Sequence, residues 1–205
     1  TEDLAVEVMS LALTQPYEVS GTVHLSPTLA GRLKHKGLAK EARPLTAIRL
    51  ENFTRSITYR KQKLREVLAA YGAPLELDLE SSLEFWSEIR RLSFFPPNGT
   101  HIWRISTTPS RAPALVAAVR RHMHLEAFYD WSGGLVWLET PASADAGSAD
   151  IRRAVATHGG HATLIRADEQ VRRTVEVFQP LGPAVDRITR GLKHARRAAP
   201  RPSAT

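Results

Sequence analysis

His158 and His161 flank a glycine pair in "HGGHATLIRA", residues 158–167, and offer the first place to look for chemistry. A histidine beside a tight turn can face a substrate and move a proton. No third ligand is spaced to complete a zinc site with this pair, so metal chemistry is not expected. His158 continues the apolar stripe of Ile151, Ala154 and Val155 and reads as a packed or capping residue. His161 opens a strand at a tight turn, where a substrate-facing role is the sharper reading. Arg104 and Arg166 each sit inside an otherwise apolar strand. A strand arginine ordinarily lies on the solvent face; its sharper use is a forked grip on a substrate carboxylate.

A second glycine pair lies in "FYDWSGGLVWLE", residues 128–139. Gly133-Gly134 reads first as a hairpin turn that requires φ > 0, with Trp131 and Trp137 packing beside it. The alternative is close backbone approach to a flat ligand held between aromatic rings. The chain has no P-loop, no GxGxxG and no GxSxG, and His24 followed by Ser26 lacks a triad partner.

These residues need elements to position them. Leu4, Val8 and Leu11 at i, i+4, i+7 predict a helix over 2–13. "YEVSGTVHL" alternates and predicts a strand with Gly21 as a bulge. "SPTLAGRLKHKGLAKEARP" reads as an exposed polar connection, and "LTAIRLEN" as the next strand. Leu64, Val67, Leu68 and Tyr71 mark a helix stopped by Gly72 and Pro74. "LELDLE" alternates strictly and predicts a strand, with Ser81 or Ser82 capping a helix over 83–92. "HIWRIST" is a strand, 112–123 a helix, the aromatic segment a hairpin, 151–158 a helix, "HATLIRA" a strand and 183–195 a last helix. The order predicts an α+β fold: an antiparallel or mixed sheet with helices on one face. Two βαβ-like halves of ferredoxin-like type satisfy this order, with a single larger mixed sheet as the alternative.

Composition narrows the function classes. At 205 residues the chain can bury a real core. It has no cysteine, which removes disulfides, thiolate metal sites and a cysteine nucleophile and fits a cytoplasmic setting. No stretch has the apolar length of a membrane span, and the first turn is acidic, against a signal peptide. The net charge of +7 suggests nucleic acid, but its distribution argues otherwise. Arg187, Arg190, Lys193, Arg196, Arg197 and Arg201 crowd the end of the chain, with no acid after Asp186. Aromatics are not interleaved with them, as a single-strand binder needs. Residues 196–205 are expected to form a disordered basic tail.

Five stretches in order, "LTAIRLENFTRSITYRKQKL", "HIWRIST", "YDWSGGLVWLE", "GGHATLIRA" and "FQPLGPAVDRITRGLKHA", resemble the FAD-linked oxidase family related to vanillyl-alcohol oxidase. The likeness is to the C-terminal half of the FAD-binding subunit of glycolate oxidase, from about residue 5 to Ala195. The resemblance implies that residues 1–195 are an α+β, ferredoxin-like cap over the isoalloxazine, with the N-terminal FAD-binding domain absent from this chain. FAD is then the cofactor of the full-length protein, not retained by this piece. The family continues its final helix into a Phe-Asp-Pro turn and an Asn-Pro-Gly stretch near the flavin. This chain reads "ARRAAPRPSAT" instead, which suggests a truncated or substituted tail. The resemblance further implies hydride transfer from the α-carbon of a 2-hydroxy acid such as glycolate to the flavin. Arg104 and Arg166 become candidates for the carboxylate, His161 for the base, and Trp131, Gly133 and Gly134 for the flavin edge. Implied partners are the chain's own missing FAD-binding domain, further flavin and iron–sulfur subunits, and a second copy of the chain. Partner subunits could in turn bring it to a membrane. Two other readings stay open: a non-catalytic assembly module of such an oxidase, and a ferredoxin-like nucleic-acid binder.

Overall fold

The computed structural model describes residues 1–40 and 43–198 of the chain. Its strands are β1 (Val19–Leu25), β2 (Leu45–Leu50), β3 (Thr100–Ser106), β4 (Glu126–Asp130), β5 (Leu135–Pro141) and β6 (His161–Arg166). They form one sheet in the order β2-β1-β4-β5-β3-β6, and every pairing is antiparallel. Helices α1 (Glu2–Leu13), α6 (Ala112–Arg120) and α7 (Ser148–His158) join them, so the fold is α+β. From β3 to β6 the elements run β-α-β-β-α-β, and the four strands order as β4-β5-β3-β6. That is the ferredoxin-like split arrangement, extended by β1 and β2 on the β4 side.

One face of the sheet is covered along its length. Trp103, Ile105, Ala127, Tyr129, Val136, Leu138, Ala162 and Leu164 alternate inward and meet α1, α6 and α7. Trp103 is fully buried, and its indole Nε1 donates to the Ala146 carbonyl at 2.8 Å, so its ring brings no unsatisfied donor into the core. α1 turns a different side inward from the one its large residues suggest. Ala5, Val6, Met9 and Ala12 are buried, while Leu4 is exposed. The helix packs beside the β4–β5 turn, with Met9 fully buried among the inward-facing residues.

The other face is covered over one half only. Within 26–44, expected to be an exposed connection, the described residues form α2 (Pro27–Gly31) and α3 (Lys36–Ala39). Ser26 caps α2, its Oγ accepting from Leu29 N–H at 3.3 Å, and Pro27 supplies the first turn. Leu29, Ala30 and Leu33 pack with Phe85 and Ile89 of α5 (Leu79–Arg91) over Val23, Leu25 and Phe128. "LELDLE" is not a strand: Asp78 caps α5, accepting from Ser81 N–H at 2.8 Å. Leu75 and Leu79 point to solvent, so the alternation there meets no partner strand. α4 (Thr54–Val67) buries only Leu64 of its expected stripe. α8 (Glu169–Thr174) was not anticipated, and α9 (Pro183–Ala198) includes the start of the expected basic tail. The rest of that tail, 199–205, lies outside the described residues.

Candidate functional site

Alternation and register decide which side chains meet on the open half of the second face. Three rows cross it. Asp130, Leu135, Ser106 and His161 form the first; Phe128, Trp137, Arg104 and Thr163 the second; Glu126, Glu139, Ile102 and Arg166 the third. His161 sits directly opposite Ser106, and Arg104 opposite Thr163. His161 and Arg104 are therefore diagonal neighbours, with Cα atoms about 7–8 Å apart. Both side chains are exposed, as is Ser106.

Local chemistry explains how His161 comes to this place. Gly159 and Gly160 have φ of +80° and +131°, and a Cβ on Gly160 would stand 2.6 Å from the Ser106 carbonyl oxygen. Only glycine allows α7 to turn this close to β3. Thr107 Oγ1 fastens the turn by donating to the Gly159 carbonyl at 2.8 Å. His158 closes α7, and its carbonyl accepts from Arg111 at 3.3 Å.

Arg104 lies with its guanidinium carbon 5.9 Å from the centre of the Trp137 ring. This cation–π contact steadies the side chain by about 0.5–1 kcal/mol while leaving its N–H donors available. Beneath it, Trp137 Nε1 is buried and has no hydrogen-bond partner among the described residues. A buried donor in that state carries a cost of about 1–3 kcal/mol. The acids on this face are occupied. Glu139 is bonded to Arg32 at 2.5 Å, and Ser26 Oγ donates to Glu126 at 2.5 Å. Burial pushes the Asp130 carboxyl above its ordinary value, and its bond from Trp131 N–H at 2.8 Å partly offsets that. Arg104 is left as a cation with no carboxylate partner among the described residues. With the exposed Ser106 and His161 beside it, the arrangement can hold a small anion and present a base next to it.

The other expected site residues fall differently. Arg166 shares the face, one row away, but its guanidinium donates to the Pro96 carbonyl and holds the 92–96 segment down. Gly133 and Gly134 close on protein rather than on an open face. A Cβ on Gly133 would stand 3.0 Å from Val6, and one on Gly134 would stand 3.1 Å from the Trp131 carbonyl. Gly133 takes the φ > 0 that the hairpin-turn reading requires, at +90°, whereas Gly134 has an ordinary φ of −64°; Ser132 fastens the turn through Ser10 Oγ at 2.6 Å and Thr22 Oγ1 at 3.0 Å. Trp131 is held out at 72% exposure with φ of +50°, a backbone setting that bulky residues rarely adopt. It stands at the same end of the sheet as His161.

The sequence does not single out Ser106, Thr163 and Asp130, and it presents Trp137 only as one of the rings flanking the glycine pair, not as a partner of Arg104. Period-2 spacing puts 104 with 106 and 161 with 163, but only the register between strands brings Trp137 under Arg104.

A cleft of about 760 Å³ opens at the opposite end of the sheet, lined in part by Glu2, His24, Ser26, Arg120 and Glu126. Its polar groups satisfy one another. Arg120 pairs with Glu2 at 2.7 Å, and His24 Nδ1 lies 2.9 Å from Thr46 Oγ1. Burial lowers His24 from 6.5 to about 4 and keeps it neutral. Among the described residues no group of three or more His, Asp or Glu could hold a metal ion. No protein-family model matches the chain, and a search of curated proteins returns no match.

Proposed function

We propose that this chain is the cap and substrate-side region of a FAD-dependent oxidoreductase acting on a 2-hydroxy acid such as glycolate. The observation that carries the reading is that Arg104 and His161 are exposed diagonal neighbours on the second sheet face. Arg104, steadied by Trp137, takes the carboxylate, and the exposed Ser106 hydroxyl is placed to orient the substrate. His161 accepts the hydroxyl proton on an imidazole nitrogen. The α+β, ferredoxin-like layout is the one the resemblance implies, and exposed polar residues on this face suit a lid that closes on a second domain.

The residues present fit a flavin only at its edge. Trp131 offers an exposed ring there, whereas Gly133 and Gly134 are already filled. FAD when bound would supply the hydride acceptor, and residues 1–205 contain no GxGxxG stretch for its pyrophosphate. The purified chain is expected to show no stoichiometric visible flavin band. Tight one-to-one FAD on this chain alone would overturn the proposal.

A second reading, an assembly module for flavin and iron–sulfur subunits or for a second copy, draws on a different surface. Phe53, Tyr59, Leu75, Leu79 and Leu83 are exposed around α4 and α5, and apolar patches of this kind mark contact surfaces. Sedimentation at rising concentration is expected to show self-association; a strict monomer counts against this reading.

A further inference from the structure

α9 is sharply two-sided. Val185, Ile188 and Leu192, at i, i+3 and i+7, form one stripe, and they are 53, 64 and 64% exposed. Phe178 and Leu181, on the segment leading into the helix, are also exposed. Arg187, Arg190, Lys193 and His194 fall on the other side. Asp186 is the one acid of the helix and pairs with Arg190 at 2.8 Å. The sequence beyond adds Arg201 and no acid.

We propose that α9 is a membrane-surface helix that lays its apolar stripe into an anionic lipid interface. A lipid surface uses both sides of the helix in one pose. The aliphatic side chains enter the acyl boundary, while the arginines and lysine reach back to headgroup phosphates. Nucleic acid would use the basic side and leave the exposed stripe without a role. A protein groove would take the stripe but leave the run of cations unmatched. No helix among the described residues is long and apolar enough to cross a membrane, so the attachment is peripheral. This inference is independent of the open sheet face.

The test is co-sedimentation of the full chain with phosphatidylcholine vesicles and with vesicles one-third phosphatidylserine. Binding to the anionic vesicles is expected to be at least about tenfold tighter and to weaken with salt. The double variant Ile188→Asp/Leu192→Asp changes only exposed side chains, so its circular dichroism should match the parent, and it should lose vesicle binding. Arg187→Glu/Lys193→Glu should lose the preference for anionic lipid. No binding, equal binding to both vesicles, or undiminished binding by Ile188→Asp/Leu192→Asp would overturn the proposal. So would a short DNA duplex bound equally by parent and double variant in the absence of vesicle binding, which would make α9 a nucleic-acid element.

Discussion

The two halves of the second sheet face use the same strand alternation for opposite ends. Over β1 and β4 the outward positions are Val23, Leu25 and Phe128, and α2 and α5 bury them. Over β3 and β6 Ile102 is buried with those same residues and Thr163 is buried too, while Arg104, Ser106 and His161 are exposed. Exposed polar residues would ordinarily need no comment. Here a tryptophan whose buried donor has no hydrogen-bond partner among the described residues sits among them, and the neighbouring acids are tied down by Arg32 and Ser26. The contrast is between outward apolar positions buried by α2 and α5 and outward polar positions left exposed, which the proposed site uses.

The largest expected effect lies on the covered half. Phe85→Ala or Phe128→Ala should cost about 3–5 kcal/mol in chemical denaturation, whereas Arg104→Leu should change stability by less than about 0.5 kcal/mol. Comparable losses for both would erase the distinction. Next comes the acid response of a buried group. His24 is held neutral, its value depressed to about 4. Its contribution is present above the unfolded value of 6.5 and is lost as pH falls toward 4, by about 3 kcal/mol in all. Melting temperature should drop over that window, and His24→Gln should flatten the drop; an unchanged slope would count against the burial argument.

Smaller effects sharpen the open half. Gly160→Ala should cost about 2 kcal/mol, since its Cβ meets the Ser106 carbonyl and its backbone is strained for alanine. It should also displace His161, visible as shifted imidazole resonances. Asp130→Asn should be neutral or stabilising at pH 7, because burial disfavours the charged carboxyl. A raised carboxyl contributes stability below its unfolded value and loses it as pH rises. The advantage of asparagine should therefore fade on acidification, and a variant less stable at pH 7 would refute this.

Much of the fold was legible. Val19–Leu25, Thr100–Ser106 and the hairpin around Gly133-Gly134 show their period plainly, and their boundaries follow. "LELDLE" misled because alternation alone does not supply a neighbouring strand, and Asp78 is worth more as a helix cap. The 26–44 stretch misled because its few apolar residues, Leu29, Ala30 and Leu33, are spaced for a short buried helix among polar ones. Arg104 and Arg166 stood out as charges inside apolar strands, and His161 as a histidine at a glycine-rich turn. That Arg104 and His161 share a face, and that Trp137 lies beneath Arg104, depends on cross-strand register, which sequence spacing does not carry.

A glycolate titration of the nitrogen-15-labelled chain, followed by two-dimensional NMR, tests the central claim most directly. The account predicts saturable shifts at the Trp137 indole and at the amides of 104–106 and 161–163, lost in Arg104→Leu. No shifts, or shifts confined to the cleft lined by His24 and Arg120, would contradict it.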